Sequence, residues 1–125
     1  MLVAGTPILI VEDEPYIAID LAMAVEDASG RVVGPVGSVR EALALVSSGP
    51  VAGAILDVNL RDGDIVPVLD ILLERGIPLA IQTGVGLPAD FRRRYPELPV
   101  YSKPVNAVEL VEEIAALIGG ARTRS

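Results

Sequence analysis

Five short apolar runs recur along the chain, and they limit its fold more than any other feature. They are PILIV (7–11), VVGPV (32–36), VAGAIL (51–56), IPLAI (77–81) and PVY (99–101). Each run is too short for a stable helix and is bounded by Gly, Pro, Asp or Thr. Three of them are almost continuously hydrophobic, which is typical of strands buried on both faces of a parallel sheet.

Amphipathic helical patterns fill the intervals between these runs. Between Ile17 and Ala28, apolar residues recur at spacings of three and four, and Pro15 stands where the first helical position is expected. Ser38 and Asn106 are each followed three residues later by glutamate, a capping-box pattern that predicts the start of a helix. Strands that alternate with helices predict an α/β fold with a doubly wound parallel sheet and right-handed crossovers.

Glycine and proline predict where the helices end. The predicted ends are Gly49–Pro50, Gly76 and Gly119–Gly120. A helix at 64–75 requires Pro67 to lie in its first turn, and 88–95 forms at best a short helix. Asp62 and Asp64 are interpreted as turn and helix-cap residues. We expect a single domain over residues 1–125, with a core at about 6–119 and a frayed tail at 120–125.

Composition argues against several classes of function. The 125 residues include no cysteine and no histidine, so disulfides, thiolate chemistry, serine–histidine catalysis and zinc sites are hard to build. A net charge of −7 argues against nucleic acid and against an anionic membrane as partners. No apolar run approaches the roughly 20 residues that a membrane span needs. We expect no signal peptide and a cytoplasmic location.

Polar residues follow the predicted strands at their carboxyl ends, where ligands bind in an open parallel sheet. These residues are Glu12 and Asp13 after the first strand, Asp57 and Asn59 after the third, Thr83 after the fourth, and Lys103 after the fifth. Lys103 is the only lysine in the chain. The carboxyl ends of parallel strands meet at one edge, so we expect these side chains to converge.

The convergence explains how the apolar strand AGAIL can end on Asp57. Two carboxylates about 4 Å apart repel by about 4 kcal/mol at an effective dielectric of 20, so Asp13 and Asp57 need a cation. Oxygen ligands with open water positions suit Mg²⁺, and Lys103 supplies a second positive charge. Together these cations would keep Asp57 ionised and nucleophilic. Such a carboxylate, with the Thr83 hydroxyl nearby, is suited to accepting a phosphoryl group.

At these residues the chain resembles the CheY-like receiver domains of two-component response regulators over essentially its whole length. The matching segments are ILIVEDEP, ILDVNL, IQTG and VYSKPV. The resemblance implies a flavodoxin-like (βα)5 fold with strand order 2-1-3-4-5 and a short or irregular fourth helix. It points to the stand-alone type without a DNA-binding output domain. IQTG is similar to the motif of the FATG subgroup.

The resemblance also implies roles for individual residues. Asp57 would be phosphorylated by a sensor histidine kinase or a histidine phosphotransfer protein. Mg²⁺ would be held by Asp13, Asp57 and the Asn59 backbone carbonyl, with Glu12 acting through water. Thr83, Lys103 and Tyr101 would stabilise the phosphoryl group or switch with it, and the Lys103–Pro104 peptide bond would be cis. The output would be binding to an unknown downstream protein, without enzymatic turnover beyond self-phosphorylation and dephosphorylation.

Alternative interpretations remain open for the residues and for the function. Asp57 could be a strand-ending turn residue, Glu12 and Asp13 could cap the first helix, and Thr83 and Tyr101 could be ordinary strand residues. The chain could be a phosphate sink for a shared kinase. It could also be a small phosphohydrolase working through aspartyl phosphate, although Asn59 stands where such enzymes typically carry a second aspartate. A flavodoxin-like cofactor carrier would need a phosphate-cradling loop after the first strand.

Overall fold

The computed structural model describes residues 2–84 and 87–123, without the side chains of 121–123. In chain order the elements are β1 (Pro7–Val11), α1 (Pro15–Asp27), β2 (Arg31–Val36), α2 (Val39–Ser48), β3 (Gly53–Asp57), β4 (Asn59–Leu60), β5 (Gly63–Asp64), α3 (Val66–Glu74), β6 (Leu79–Thr83), α4 (Phe91–Arg94), β7 (Val100–Ser102) and α5 (Ala107–Thr123). No helix in this part of the chain is both long enough and apolar enough to cross a membrane.

The main sheet has five parallel strands in the order β2-β1-β3-β6-β7. Counted along the chain without the short β4 and β5, this is the predicted order 2-1-3-4-5. The doubly wound α/β fold is therefore confirmed. The order places β1, β3 and β6 at the centre, and β3 and β6 are buried along their whole length, as their nearly continuous apolar sequences require.

Two apolar layers cover the two faces of the sheet. On one face, alternate strand residues such as Leu9 and Leu56 pack in one buried cluster with α2 and α3. On the other face, Ile8, Ile10 and Ile55 pack with α1 and α5. Since side chains on a strand alternate between faces, each central strand contributes to both layers. Helices on both faces leave the carboxyl edge of the sheet as the place where polar side chains meet.

The predicted helix starts are confirmed by their hydrogen bonds. Pro15 is the first residue of α1. The Ser38 hydroxyl accepts from the backbone N–H of Glu41 at 3.1 Å, and the Asn106 side chain accepts from the backbone N–H of Glu109 at 3.0 Å. Pro67 lies in the first turn of α3, where its missing N–H removes no helical bond. The helix predicted at 88–95 is reduced to the single turn α4.

One predicted helix end was wrong. We expected α5 to stop at Gly119–Gly120, but it continues to Thr123. Glycine ends a helix by adopting a left-handed conformation, and both glycines here keep helical geometry. The cost of glycine inside a helix, about 1 kcal/mol each, does not by itself stop it. Val85 and Gly86, in the predicted irregular region, and Arg124 and Ser125, in the predicted tail, lie outside the described residues.

A small antiparallel hairpin, β4 with β5, follows the third strand and was not predicted. Its turn residue Asp62 caps the N-terminus of α2: its two carboxylate oxygens accept from the backbone N–H groups of Val39 at 2.8 Å and Arg40 at 3.0 Å. Asp64 accepts from the backbone N–H of Val66 at 3.0 Å, at the start of α3. Both aspartates therefore cap helices, and Asp62 does so across 23 residues of sequence.

Replacing Asp62 should lower the free energy of unfolding. The hydrogen bonds from Val39 and Arg40 lower the pKa of Asp62 below its ordinary value. A lowered pKa gives stability that is present above the unfolded pKa of about 3.9 and is lost as the pH falls through the folded pKa. In urea titrations, Asp62→Ala should be less stable than wild type at neutral pH, and the difference should shrink in acid. Asp20→Ala, on the exposed face of α1, serves as the control. Equal stabilities of wild type and Asp62→Ala at neutral pH would contradict the cap.

Candidate functional site

Four positions form one row across the carboxyl edge of the main sheet. Asp57 on β3 is in register with Gln82 on β6, and Gln82 is in register with Tyr101 on β7. Glu12 directly follows β1 and extends the register of that strand with β3 toward Asp57. The row shares the sheet face covered by α1 and α5. Topology alone thus brings an acid from the first strand beside the acid of the third.

Lys103 connects the two buried acids of this row. Its Nζ lies 2.8 Å from Glu12 Oε1 and 3.1 Å from Asp57 Oδ2. Glu12 is 3% exposed and Asp57 is 5% exposed, while the Lys103 side chain is 16% exposed. Charged groups removed from water need partners, and the lone lysine supplies one ammonium to both carboxylates. The sequence predicted that these residues meet, and the structure brings them into contact.

Both carboxylate oxygens of Glu12 accept hydrogen bonds, and the two oxygens have different donors. Oε1 accepts from Lys103 Nζ and from Gln82 Nε2, the latter at 3.0 Å. Oε2 accepts from the backbone N–H of Glu14 at 3.1 Å. Glu12 is therefore fixed in the site, and the interpretation of this residue as a simple helix cap does not describe its environment.

Burial and charge shift the pKa values of this cluster. Burial raises the pKa of Glu12 to about 7, and the hydrogen bonds from Lys103 and the Glu14 N–H oppose that rise. Burial lowers the pKa of Lys103, but its hydrogen bonds to Glu12 and Asp57 outweigh this and leave the pKa above its ordinary value. The ammonium is thus charged at neutral pH, whereas the Glu12 carboxyl keeps its proton to a higher pH than an exposed glutamate does.

Three carboxylates of the site are close enough to share a cation. One oxygen each from Glu12, Asp13 and Asp57 lie within 4.8 Å of one another. Asp13 is exposed and faces the solvent side, whereas the other two are buried. Lys103 offsets only one of the three negative charges when all are ionised. The remaining excess negative charge, presented by oxygen ligands open to water, fits Mg²⁺.

The other predicted site residues occupy the same edge. Thr83 ends β6, is 6% exposed, and its backbone carbonyl accepts from the Lys103 N–H at 2.8 Å. Asn59 is exposed and opens β4 two residues after Asp57. Its role as a carbonyl ligand stays a prediction. The Lys103–Pro104 peptide bond is cis.

Tyr101 lies half-buried against the α1 and α5 layer. Partial burial and the nearby Glu113 carboxylate raise the pKa of its phenol above the ordinary value. The phenol therefore stays protonated at neutral pH and can donate a hydrogen bond. Its position in the row, one strand beyond Gln82, joins the site to α5. Switching by Tyr101 stays a prediction.

Sequence reasoning missed Gln82. This residue is 0% exposed, and its amide contacts the site through Glu12. The only sequence signal is a polar residue inside the otherwise apolar run of the fourth strand, IPLAIQT. A buried amide needs a hydrogen-bond partner, so a polar residue at a fully buried strand position indicates a polar neighbour.

No family model matches the chain, but known proteins are similar to it in sequence and fold. The solution structure of SdrG from Sphingomonas melonis Fr1 is 40% identical, covers 94% of this chain and 98% of SdrG, and has a TM-score of 0.75. The signal receiver domain of a putative LuxO repressor protein from Vibrio parahaemolyticus is 26% identical, covers 96% of this chain and 95% of its own, and has a TM-score of 0.79. The chain belongs to the response-regulator receiver family.

Two further comparisons give similar proteins. The BeF3-activated conformation of SdrG from Pseudomonas melonis Fr1 is 41% identical, covers 94% of this receiver and 98% of SdrG, and has a TM-score of 0.70. The phyllosphere-induced regulator PhyR of Methylorubrum extorquens is 38% identical over 83 residues, which are 64% of this receiver and 31% of PhyR. The match therefore spans about a third of that curated relative.

The raised pKa of Glu12 should make the receiver less stable as the pH rises. The folded pKa of Glu12 is about 7 and its ordinary value is 4.5. Between these pH values the carboxyl keeps its proton in the folded protein and loses it in the unfolded protein, so ionisation favours unfolding. At about 1.36 kcal/mol per pKa unit, the loss without Mg²⁺ is up to about 3 kcal/mol. In urea titrations, we expect the unfolding free energy of Glu12→Gln to increase relative to that of wild type as the pH rises over this range.

Glu26→Gln, exposed on α1, is the matched control and should follow the wild-type pH profile. Parallel profiles for wild type and Glu12→Gln would contradict the raised pKa.

Proposed function

We propose that this receiver is a Mg²⁺-dependent phosphoryl acceptor at Asp57 that switches a protein-binding surface. The donor would be a sensor histidine kinase or a histidine phosphotransfer protein. The observation that carries the proposal is the contact of the lone lysine with the buried Asp57, beside a cluster of carboxylates that fits a divalent cation. A nucleophilic carboxylate needs nearby positive charge to receive an anionic group, and this site provides it.

In the proposed reaction a carboxylate oxygen of Asp57 attacks the phosphorus of a phosphohistidine. The P–N bond breaks, the imidazole leaves with the bonding electrons and takes up a proton, and Asp57 becomes an acyl phosphate. The Lys103 ammonium, 3.1 Å from Asp57 Oδ2, would then bind a phosphoryl oxygen. The Thr83 hydroxyl would donate a hydrogen bond to another phosphoryl oxygen.

The metal would be held by Asp13, Asp57 and the Asn59 carbonyl, with Glu12 acting through water. The chemistry that Mg²⁺ supplies when bound is neutralisation of the charge on the transferring oxygens. The carboxylates within 4.8 Å of one another support this ligand set. The BeF3-activated conformation of the 41% identical SdrG supports a comparable activation of this receiver.

The switched surface would include β7 and α5, with an unknown protein as its downstream partner. Tyr101 lies between the site and α5, where Glu113 affects its phenol. Movement of Thr83 and Tyr101 toward the phosphoryl group would change the surface that α5 presents. Signalling would then depend on the lifetime of the acyl phosphate and require no enzymatic turnover.

Incubation with acetyl phosphate and Mg²⁺ should add one phosphoryl group to the wild-type protein, as read by intact mass. Asp57→Asn should add none, because it lacks the nucleophilic carboxylate. Asp20→Asn, an exposed aspartate on α1, should behave as wild type. EDTA should abolish the addition. Equal phosphorylation of wild type and Asp57→Asn would refute the proposal, and sustained turnover of phosphomonoesters would favour a phosphohydrolase instead.

An exposed apolar stripe on α1 is the surface that we propose for the phosphoryl donor. Tyr16, Ile19 and Met23 are 80%, 53% and 57% exposed and recur at helical spacing. The helix begins directly after Glu14, two residues beyond Glu12, so the stripe starts close in sequence to the edge that carries Asp57. A protein that brings a phosphohistidine to Asp57 must approach this edge, and the stripe offers it apolar area to bury.

Ile19→Asp should slow phosphorylation by a protein donor about tenfold or more, since a buried unpaired charge opposes docking. Phosphorylation by acetyl phosphate should remain unchanged, because the small donor needs no docking surface. Leu73→Asp, at an exposed leucine on α3, is the matched control. The rate with the protein donor is measured with a kinase or phosphotransfer protein that phosphorylates the wild type. Equal losses with both donors would show that the variant damages the site itself, and unchanged transfer from the protein donor would exclude the stripe.

A further inference from the structure

Gln82 is the buried side chain whose place in this site the phosphoryl chemistry leaves unexplained. It is fully buried, and its register neighbours are Asp57 on one side and Tyr101 on the other. A buried amide loses its hydrogen bonds to water, so an apolar residue would normally suit this position better. The neighbouring positions on the same strand, Ala80 and Ile81, are apolar and equally buried.

The amide of Gln82 is directed at Glu12. Its Nε2 donates to Glu12 Oε1 at 3.0 Å, and the same oxygen accepts from Lys103 Nζ at 2.8 Å. A carboxylate oxygen accepts and does not donate, so the nitrogen of the amide is the atom that faces it. The Gln82 carbonyl oxygen has no hydrogen-bond partner within the described chain. The residue thus keeps a buried polar atom unsatisfied while it makes one charge-assisted hydrogen bond to the site.

We propose that Gln82 is a positioning residue that sets how Lys103 is divided between Glu12 and Asp57, an inference that rests on the proposed phosphoryl transfer. Lys103 Nζ and Gln82 Nε2 both bind Glu12 Oε1, so the amide offsets part of the negative charge of this oxygen. The ammonium can therefore also lie 3.1 Å from Asp57 Oδ2. Without the amide, Glu12 Oε1 keeps only the ammonium. Lys103 then moves toward Glu12 and away from the carboxylate that receives the phosphoryl group.

The lone lysine provides a direct readout. Selective ¹⁵N labelling gives the folded protein one side-chain ammonium resonance, that of Lys103 Nζ. In Gln82→Met, of similar volume, we expect this resonance to shift in the unphosphorylated protein. We also expect phosphorylation by acetyl phosphate at saturating Mg²⁺ to slow about three- to tenfold, which is within the range of one ordinary intramolecular hydrogen bond. An unchanged resonance, or a rate within twofold of wild type, would overturn the proposal.

Ile81→Val separates positioning from packing. Ile81 is equally buried on the same strand but belongs to the α2 and α3 layer. The Ile81→Val substitution should lower the unfolding midpoint and leave the Lys103 ammonium resonance and the rate of phosphorylation unchanged. If Gln82 has a purely structural role, Gln82→Met will also lower the unfolding midpoint and leave the resonance and the rate unchanged. That result would overturn the proposal. Gln82→Leu repeats the test if Gln82→Met does not fold.

A double-mutant cycle tests whether Gln82 acts through Glu12. In the Glu12→Gln background, Gln82→Met should slow phosphorylation by less than twofold, because the charge it helps to hold is gone. An equal loss in both backgrounds would overturn the proposal. The ammonium resonance needs no phosphorylation, so failure of phosphoryl transfer in the wild type and failure of the Gln82 inference give different results.

Discussion

The contact of one ammonium with two buried carboxylates is the interaction on which the site depends. Lys103 follows the last strand of the sheet, yet its Nζ reaches Glu12 beside the first and Asp57 at the end of the third. Removing either acid from water without this partner would cost several kcal/mol, comparable with the whole stability of a small domain. The strand order that places β3 between β1 and β6 is therefore also what makes an apolar strand ending in aspartate tolerable.

The apolar layers and the polar edge depend on the same alternation of side chains. Ile10 and Ile55 fill the layer beneath α1 and α5, and the next positions on that face are Glu12 and Asp57. A shift of one residue in the pairing of β1 with β3 would put these two acids on opposite faces of the sheet and would move the isoleucines of the shifted strand into the layer beneath α2 and α3. The packing of the core thus fixes the strand register that brings the two acids together. The hairpin that follows Asp57 is held separately, through the Asp62 cap on α2.

The fold and most of the site could be predicted because their signals are local or follow from topology. Continuous apolar runs indicate buried parallel strands, and the carboxyl ends of such strands meet wherever the helices lie. Asp62 could not be predicted as the cap of α2, because its partners lie 23 residues away and depend on a two-strand hairpin too short for a pattern. The extension of α5 through Gly119 and Gly120 depends on backbone conformation, which residue identity leaves open. The contact of Gln82 with Glu12 needs the register of three strands.

Phosphorylation, as proposed, would change the balance among these same groups. An acyl phosphate at Asp57 adds negative charge where Lys103 Nζ already lies, so the ammonium would favour the phosphoryl oxygens over Glu12. Glu12 would then lose its strongest donor while remaining buried. The amide of Gln82 and the backbone N–H of Glu14 would still hold both of its oxygens. Glu12 can therefore release the lysine without becoming an isolated buried charge. The Gln82 carbonyl, which has no hydrogen-bond partner among the described residues, is the cost of keeping that donor in place.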